Sequence, residues 1–379
     1  MKRKDKLVIV SLMEGFPWGG SEELWYNTAV YALKEGVVVN VFIKKWDEDY
    51  DKIHNLRSLG AKINYLDTDP KQSKKKILKL ISRTSLTVFE TIKAIGLKKT
   101  DRILMSQGDT FSAFGSTLLA NLITLNVPVS LVSQHLHDVG IPNEDLRKKA
   151  RLTVSKIKHF CFVSQRSLNL TKRYLNSDGY NFHLVNNPVN LDRKVVIEYP
   201  DLSIPSFAVV GRLDCRFKGQ DILIEVLSQD KWKVRHWTCN LYGKGNDENY
   251  LKDLIDHYGL KEKVFLKGHV DSVEDIWRAN HLLVLPSISE GTPLSLVEAN
   301  ICGRPAVVTD VGGNTEVIVE NENGWIAEAP LKTYLEKAME NAWKNKEKWK
   351  EMGVVAHKRA MKRYKVNAGK ELFDLIRND

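Results

Sequence analysis

The sequence has few cysteines and none that are closely paired. Only four cysteines occur among 379 residues, and no two of them form a CxxC pair. This spacing excludes a disulfide framework and a cysteine-based zinc site, and it favours a reducing compartment. The composition, 43% hydrophobic and 27% charged, excludes a disordered or collagen-like chain. The cysteines are Cys161, Cys215, Cys239 and Cys302.

Long hydrophobic runs are also lacking. The longest stretch without a charge, residues 110–134, is interrupted by Asn121, Asn126 and Pro128. It therefore predicts a buried helix followed by a buried strand, and not a membrane span. The first fifteen residues combine a basic stretch with a short apolar run, but Glu14 breaks that run and no small-residue cleavage site follows. We expect this segment to be a cytoplasmic first strand.

Acidic residues are scarce in the first half of the chain. Residues 1–200 contain 31 Lys and Arg against 20 Asp and Glu, which gives +11, whereas residues 201–379 contain 26 against 27, which gives −1. Most of the excess lies in Lys71–Lys99, where nine basic residues accompany one acid, Glu90. This asymmetry predicts an anionic partner for the first half.

The same basic segment has apolar residues at helical spacing. The spacing predicts an amphipathic helix with lysines beside its apolar stripe. An ordinary helix packed on the sheet with solvated lysines explains the stripe but not the excess charge. We therefore expect Lys71–Lys99 to hold the protein at the cytoplasmic face of an anionic membrane, in a peripheral and salt-sensitive contact. The apolar residues are Ile77, Ile81, Val88, Ile92 and Ile95.

Short β-rich runs alternate with helical patterns through most of the chain. This alternation predicts βαβ units and parallel sheets covered by helices on both faces. Three prolines interrupt the pattern between residues 187 and 205, after which it starts again. We expect an α/β chain of two doubly wound Rossmann-like domains facing a central cleft, with ligands at the carboxyl ends of the strands. The predicted parts are residues 1–190, residues 191–365 and a C-terminal helix, 366–379, that can pack back on the first domain. The predicted strands are 7–12, 37–43, 62–66, 102–106, 127–133, 158–163, 206–213, 234–243, 263–268, 281–287 and 304–310.

Two glycines follow the first strand. Gly19 and Gly20 precede a helical pattern, with Ser21 as the predicted N-cap and two glutamates in the first turn. Bare N–H groups at such a turn can bind an anion. The pattern is not GxGxxG, and no acidic residue ends the second strand, so a nicotinamide cofactor is not favoured.

The second half contains two groups of charged residues. Arg212 and Lys218 come after a strand and before a helix, where two cations suit a diphosphate. Further on, a buried strand leads into a loop with Glu290, and Glu298 follows eight residues later, about two turns into a helix that Pro293 is predicted to begin. The layout offers one carboxylate for sugar hydroxyls, a helix N-terminus for phosphate and a second carboxylate for a ribose diol.

These motifs, in this order, resemble family 4 glycosyltransferases. The resemblance rests on GRL with a following KG, LYGKG, VFLKGHV, PSISEGTPLSLVEA, GRPAVVTDVGG and NGW, and is strongest over residues 206–328. The first domain adds the glycine turn, FVS (162–164) and NNPVN (186–190). The family implies the two-domain GT-B fold and a retaining, metal-independent transfer.

The resemblance also implies residue roles. Glu290 binds the hydroxyls of the donor sugar, Glu298 binds the ribose, and Arg212 and Lys218 neutralise the leaving diphosphate. The helix after Gly19 and Gly20 approaches donor phosphate and acceptor. The remaining donor-binding residues are Gly243, His269 and Val270 beside the base, and Gly291, Thr292, Pro293 and Leu294 at the phosphate.

Two features depart from the family pattern. Five residues separate Arg212 from Lys218, one more than is common. The family has a catalytic histidine after the fifth strand, and here both His135 and His137 are available. The spacing after Pro128 favours His135, and His137 stays open.

Asp-x-Asp triplets, typical of metal sites in the other major glycosyltransferase fold, occur at 46–51 and 66–70. Both lie at the ends of first-domain strands, away from the donor motifs, and the histidines lack metal-ligand spacing. We therefore expect no metal and no cofactor, with the nucleotide sugar acting as co-substrate.

The sequence thus predicts a retaining glycosyltransferase that moves a sugar from a nucleotide-diphosphate donor to a glycan or lipid-linked acceptor in cell-surface polysaccharide assembly. UDP is expected ahead of GDP, and nucleic acid is not expected as a partner. Two alternatives are a nucleotide-sugar epimerase on the same fold and a non-catalytic subunit that binds nucleotide sugar. Epimerisation of donor alone would reveal the first, and donor binding without transfer the second.

Overall fold

The structure, a computed structural model, describes residues 3–13, 18–46, 50–66, 85–138, 140–189, 191, 197–201, 203–364 and 367–378. It divides into two compact units. The first consists of Met1–Pro188 and Val366–Asp379, and the second of Val189–Lys365. Residues 71–84 of the basic segment, and residues 47–49 and 67–69 with their Asp-x-Asp triplets, lie outside the described residues.

Each unit contains one parallel β-sheet. Within the described residues, the first sheet has seven strands in the order β3-β2-β1-β4-β5-β6-β7 and the second has six in the order β10-β9-β8-β11-β12-β13. Every pairing is parallel. The predicted α/β fold with two doubly wound sheets is therefore confirmed. The strands are β1 (Lys6–Ser11), β2 (Val38–Lys44), β3 (Lys62–Leu66), β4 (Arg102–Asp109), β5 (Val129–His135), β6 (His159–Phe162), β7 (Phe182–Leu184), β8 (Ser206–Val210), β9 (Thr238–Tyr242), β10 (Val264–Gly268), β11 (Leu282–Leu285), β12 (Ala306–Thr309) and β13 (Gly324–Ala327).

Helices follow most strands, as right-handed parallel crossovers require. In the described residues they are α1 (Glu22–Lys34), α2 (Asp51–Ser58), α3 (85–94), α4 (Thr117–Leu122), α5 (Glu144–Val154), α6 (Gln165–Leu175), α7 (Cys215–Lys218), α8 (Gln220–Leu227), α9 (Asp230–Lys233), α10 (Glu248–His257), α11 (Val273–Ala279), α12 (Leu294–Ile301), α13 (Asn314–Val317), α14 (Lys332–Lys344), α15 (Trp349–Arg363) and α16 (Ala368–Arg377). None of these helices is long and apolar enough to cross a membrane.

Both sheets are covered on both faces. In β1, Val8 and Val10 belong to one apolar cluster and Ile9 belongs to another. In β8, Phe207 and Ala208 divide in the same way. Because successive strand residues point to opposite faces, this division shows that each strand is buried from both sides.

The basic segment is described only from residue 85 onward. Its helix α3 buries Val88 and Ile92 completely or nearly so in the core of the first unit, and Ile95 packs partly against the same cluster. The apolar stripe predicted for these three residues therefore faces the protein. Packing in the core of the first unit therefore explains why Val88, Ile92 and Ile95 are apolar, and no further partner is needed to bury them.

The last helix, α16, belongs to the first unit. Its residues Leu372, Phe373 and Ile376 are buried in the same cluster as β1. A Cβ on Gly369 would lie 2.5 Å from the carbonyl carbon of Asn27 in α1, so the two helices cross at very close range. Such an approach requires glycine at this position.

Candidate active site

The candidate site of the second unit lies where the strand order reverses. In this sheet, β8 and β11 are neighbours, and the chain winds outward from them in both directions. Crevices at the carboxyl ends of two such strands are the preferred ligand sites of doubly wound sheets. Arg212 and Lys218 follow β8, and Glu290 follows β11. The fold therefore brings these three predicted residues to the same edge of one sheet.

Glu290 and Lys218 form an ion pair, and a serine donates a hydrogen bond to the same carboxylate. The ammonium group of Lys218 donates to Glu290 Oε1 at 2.5 Å, and Ser287 Oγ donates to the same oxygen at 2.8 Å. The glutamate is only 7% exposed. Gly219, at φ 59°, ends α7 directly after Lys218. Although Lys218 is one residue further from Arg212 than the family pattern has it, its side chain reaches the carboxylate.

Arg212 lies beside a second buried carboxylate. Its Nη2 is 3.6 Å from Asp214 Oδ2, and its carbonyl oxygen accepts a hydrogen bond from Gln220 Nε2 at 2.7 Å. Asp214 is also 3.3 Å from Arg216 Nε. Two cations, Arg212 and Lys218, are thus oriented at this edge by carboxylates, which is an arrangement suited to an anionic group such as a diphosphate.

The loop that carries Glu290 is fixed through its backbone. On one side, the N–H groups of Ile288 and Ser289 both donate to the carbonyl oxygen of Phe217, at 2.8 and 3.2 Å. On the other side, a Cβ on Gly312 would lie 2.1 Å from the carbonyl oxygen of Glu290, and Gly312 has φ 51°. No side chain fits there, so the loop between β12 and α13 packs directly on the backbone of Glu290.

Ser287 and Gly312 were not among the predicted site residues. Both orient Glu290, one through a hydrogen bond and the other through close backbone packing. The available signals were the serine three residues before the glutamate and the paired glycines after β12. Neither signal identifies its partner, since β11 and β12 become neighbours only in the folded sheet.

The helix after this loop begins one residue later than predicted. The structure has Pro293 as the N-cap and Leu294 as the first helical residue. Pro293 has ψ 128°, which is extended, so the prediction that it begins the helix is wrong. Glu298 is consequently the fifth residue of α12, about one turn into the helix and not two. Gly291, Thr292 and Glu298 are buried, and Leu294 is half-buried.

The ends of β9 and β10 contain the residues predicted to border the base. Gly243, at φ 134°, follows β9, and a Cβ there would lie 2.0 Å from the carbonyl oxygen of Gly211. Its N–H donates to Gly268 at 2.7 Å, which joins the ends of the two strands. His269 is exposed, with Nε2 3.5 Å from Asp271 Oδ1, whereas Val270 packs partly against the apolar core.

In the first unit, the glycine turn after β1 is open to solvent. Gly19 and Gly20 are exposed, and the carbonyl group of Gly19 accepts a hydrogen bond from the N–H of Glu22 at 3.1 Å. Ser21 occupies the N-cap position, but its side chain caps no backbone N–H group of α1. It donates instead to Glu22 Oε2 at 2.8 Å. Ser21 is therefore the N-cap residue as predicted, although its side chain does not cap the helix.

Two histidines follow at the carboxyl end of β5. His135 is the last residue of the strand and is half-buried, and a Cβ on Gly108 of β4 would lie 3.7 Å from its Cε1. His137 is exposed, two residues beyond the strand. Their rings are perpendicular with centroids 5.0 Å apart. The two histidines therefore form one group at this edge, and the choice between them stays open.

The described residues offer no metal-binding group, and the cysteine beside the charged residues in the sequence is buried. Among the described residues, no three His, Cys, Asp or Glu side chains form a group that could hold a metal ion. The cysteine nearest to the charged residues, Cys215 at the start of α7, is buried, and this burial raises the pKa of its thiol to about 12. The thiol is therefore protonated at neutral pH and is a poor nucleophile.

The part of the chain that contains these charged residues matches a known family model. Residues 202–359 match the family model of glycosyl transferases group 1. This part of the chain, which contains β8 to β13 and the Lys218–Glu290 pair, is therefore similar to that family.

Curated proteins are similar to parts of this chain. The chain is 25% identical over 246 residues, 62% of its length, to the GtfA subunit of a UDP-N-acetylglucosamine–peptide N-acetylglucosaminyltransferase of Streptococcus parasanguinis. It is 33% identical over 112 residues, 29% of its length, to a poly(ribitol-phosphate) alpha-N-acetylglucosaminyltransferase of Staphylococcus aureus. The aligned parts span 47% and 23% of these relatives.

Among solved structures, Anabaena HepE in complex with UDP is similar over 97% of this chain and 98% of its own, with a TM-score of 0.70 and 19% identity. At this identity the likeness shows the fold alone. The two-domain α/β fold predicted from the sequence motifs is thus shared with a protein whose solved structure contains UDP.

Proposed function

We propose that this protein is a retaining glycosyltransferase that uses a UDP-sugar donor. The observation that carries the proposal is the Lys218–Glu290–Ser287 group at the switch point of the second sheet, within the segment that matches the glycosyl transferases group 1 family. A carboxylate beside two cations suits a ligand that combines sugar hydroxyls with a diphosphate. The UDP in the HepE structure and the UDP-sugar in the name of the streptococcal relative support UDP over GDP.

In this proposal the second unit binds the donor. Glu290 accepts hydrogen bonds from the sugar hydroxyls, and Arg212 and Lys218 neutralise the diphosphate as negative charge develops on it. The N-terminus of α12, with Gly291, Thr292, Pro293 and Leu294, faces the phosphates, and Glu298 binds the ribose. Gly243, His269 and Val270 border the base. Charge stabilisation of the leaving group is the largest contribution that such residues can make.

The first unit supplies the acceptor side. Exposed backbone at Gly19 and Gly20 and one of the two histidines, His135 or His137, contact the acceptor and the donor phosphate. The bond between the anomeric carbon and the diphosphate oxygen breaks, and its electron pair leaves with UDP. The acceptor oxygen bonds to the same face of the sugar, and its proton passes to a diphosphate oxygen. No metal takes part in this sequence.

The acceptor is proposed to be a glycan or a lipid-linked glycan of the cell surface. The Staphylococcus aureus relative is named for a poly(ribitol-phosphate) acceptor, an anionic polymer, and the first half of this chain carries a net charge of +11. We extend this proposal to a cytoplasmic location with peripheral binding to anionic lipid through Lys71–Lys99. Sedimentation with anionic and neutral vesicles at low and high salt tests the extension.

Three measurements on the full chain test the main proposal. Thermal shift with UDP and GDP should show stabilisation by UDP, roughly 2.7 kcal/mol at 100 times the dissociation constant. Turnover of UDP-sugars should proceed in EDTA with retention at the anomeric carbon, as followed by NMR. Glu290→Ala should lower kcat/KM about 100-fold or more while UDP still stabilises the fold. Near-wild-type turnover by this variant contradicts the site assignment, and epimerisation of donor without acceptor contradicts the proposed reaction.

A further inference from the structure

Two buried carboxyl groups follow one another in the first turn of α1. Glu22 is 5% exposed and Glu23 is 4% exposed. Carboxyl groups are rarely buried without a cation. Glu23 has one, because Lys52 forms an ion pair with Glu23 Oε1, and Trp18 Nε1 donates to the same oxygen at 2.8 Å. Within the described parts of the chain, no Lys or Arg pairs with Glu22.

The partners of Glu22 all belong to the glycine turn. Ser21 Oγ donates to Glu22 Oε2 at 2.8 Å, and backbone hydrogen bonds from Gly19 and from Glu22 itself also favour the ionised carboxylate. A Cβ on Gly19 would lie 3.5 Å from Glu22 Oε2. In addition, the N–H of Glu22 donates to the carbonyl oxygen of Gly19 at 3.1 Å. The backbone and the side chain of Glu22 therefore both bind the turn that leaves Gly19 and Gly20 exposed.

We propose that Glu22 is a positioning residue whose carboxylate holds the Gly19–Gly20 turn in the conformation that transfer requires. The inference rests on the proposed function, in which the backbone of this turn contacts substrate. Glu22 itself, being buried beneath the turn, does not touch the reacting atoms. Its effect passes through the turn.

The protonation state of Glu22 then controls the turn near neutral pH. Burial, with a smaller contribution from the neighbouring Glu23, raises the pKa of Glu22 to about 7, although the hydrogen bonds from Ser21 and the backbone act in the opposite direction. Lys52 forms its ion pair with Glu23. Protonation of Glu22 removes negative charge from the oxygens that accept from Ser21 and from the backbone, so these hydrogen bonds weaken and the turn is released.

The pH dependence of kcat/KM between pH 5.5 and 9 tests this inference. In the wild type, kcat/KM should fall about tenfold from pH 8 to pH 6, because the fraction of ionised Glu22 falls by that factor. Glu22→Gln should have a lower kcat/KM at pH 8 and should lose this acid limb. Ser21→Ala should move the limb to higher pH, since the Ser21 hydrogen bond favours the ionised form. Glu35→Gln, an exposed carboxyl at the other end of α1, should match the wild type.

Two outcomes overturn the inference. One is a Glu22→Gln variant with the wild-type acid limb, and the other is a Ser21→Ala variant with an unshifted limb. Loss of activity without a change in the shape of the profile would indicate a purely structural role and would equally contradict it.

A measurement without substrate separates this inference from the proposed function. With ¹³C-labelled glutamate carboxyl groups, NMR of the full chain should show one carboxyl that titrates near pH 7 and is missing in Glu22→Gln. If this carboxyl is present but no UDP-sugar is turned over, the proposed function is contradicted, whereas the titration of Glu22 in the glycine turn is confirmed. If the carboxyl missing in Glu22→Gln titrates below pH 5, the inference fails whatever the activity is.

Discussion

Gly312 lies against the backbone of Glu290, with no room for a single methyl group between them. A Cβ on Gly312 would be 2.1 Å from the carbonyl oxygen of Glu290, and the left-handed φ of 51° also disfavours any other residue. The glutamate proposed to bind the donor sugar is therefore positioned by a residue of another loop, which carries no functional group of its own.

Gly312→Ala should weaken UDP-sugar binding by about tenfold or more, because the added methyl displaces the backbone of Glu290. Isothermal titration with UDP-sugar measures this loss. Gly259→Ala is the matched control, since Gly259 has φ 67° but no atom within 4 Å of its would-be Cβ. Both variants have backbone strain of about 1 kcal/mol. Equal affinities in the two variants would contradict the positioning role of Gly312.

Lys218→Met should lower kcat about 100-fold, since the cation that neutralises the leaving diphosphate is lost and Glu290 loses its ion pair. Steady-state kinetics with UDP-sugar measures the effect. Arg216→Met is the control, because Arg216 lies in the same helix, α7, but its ion pair is with Asp214 and its side chain is 77% exposed. We expect less than about a threefold change there, as exposed pairs contribute little. A Lys218→Met/Glu290→Gln double variant should lose less than the sum of the two single effects.

Arg304→Met should destabilise the protein by about 3 kcal/mol. Arg304 is 1% exposed, and within the described residues its hydrogen bonds all go to backbone carbonyl groups, including those of Glu198, Trp277, Asn280 and Cys302. Methionine fills the volume but leaves these carbonyl groups without donors. Urea unfolding measures the loss. Lys252→Met, which removes an exposed i,i+4 pair with Glu248, should change the free energy of unfolding by less than about 0.5 kcal/mol.

Stability should fall as the pH drops below 6.5 because of a histidine pair. His159 Nδ1 lies 3.0 Å from His183 Nε2, and burial together with His183 lowers the pKa of His159 to about 4. The unfolded chain then binds more protons than the folded one between pH 6.5 and 4, so this stability is present above pH 6.5 and is lost on acidification.

His159→Gln removes one titrating group and should reduce the loss of unfolding free energy between pH 7 and pH 5 by about 1 kcal/mol, after allowance for solvent screening. Urea unfolding at the two pH values measures it. The exposed His54 provides the control, and His54→Gln should behave like the wild type. If His159→Gln and the wild type have the same pH dependence, folding does not change the protonation of this histidine pair, and the prediction is wrong.

The sequence predicts the elements of this fold well where the apolar runs are long. Eleven of the described strands lie within or next to predicted runs, since β-branched residues and regular helix lengths give a clear βαβ rhythm. β7 and β13 were missed. β7 has three residues, one of them His183, and β13 begins with Gly324, whose would-be Cβ lies 2.2 Å from the carbonyl oxygen of Ala306. β13 has only four residues, and the glycine that its close packing needs is depleted in strands, so its two strand-forming residues give only a weak signal.

The candidate site was predictable as a set of motifs but not as a geometry. The spacing from Glu290 to Glu298 identifies the loop and helix, whereas the helix start at Leu294 depends on the extended backbone of Pro293. The contacts of Lys218, Ser287 and Gly312 with Glu290 connect three separate parts of the chain. They become visible only when β8, β11 and β12 lie side by side, and single-sequence patterns contain no information on such pairings.

The position of α16 has a consequence for synthesis on the ribosome. The second unit is one continuous stretch of chain, but the first unit needs residues on both sides of it. The guanidinium group of Arg102, in β4, donates to the carbonyl groups of Ile376 and Arg377, more than 270 positions later. The first unit therefore leaves the ribosome before α16 has been synthesised. The apolar surface that α16 covers stays exposed to chaperones until the second unit has been translated.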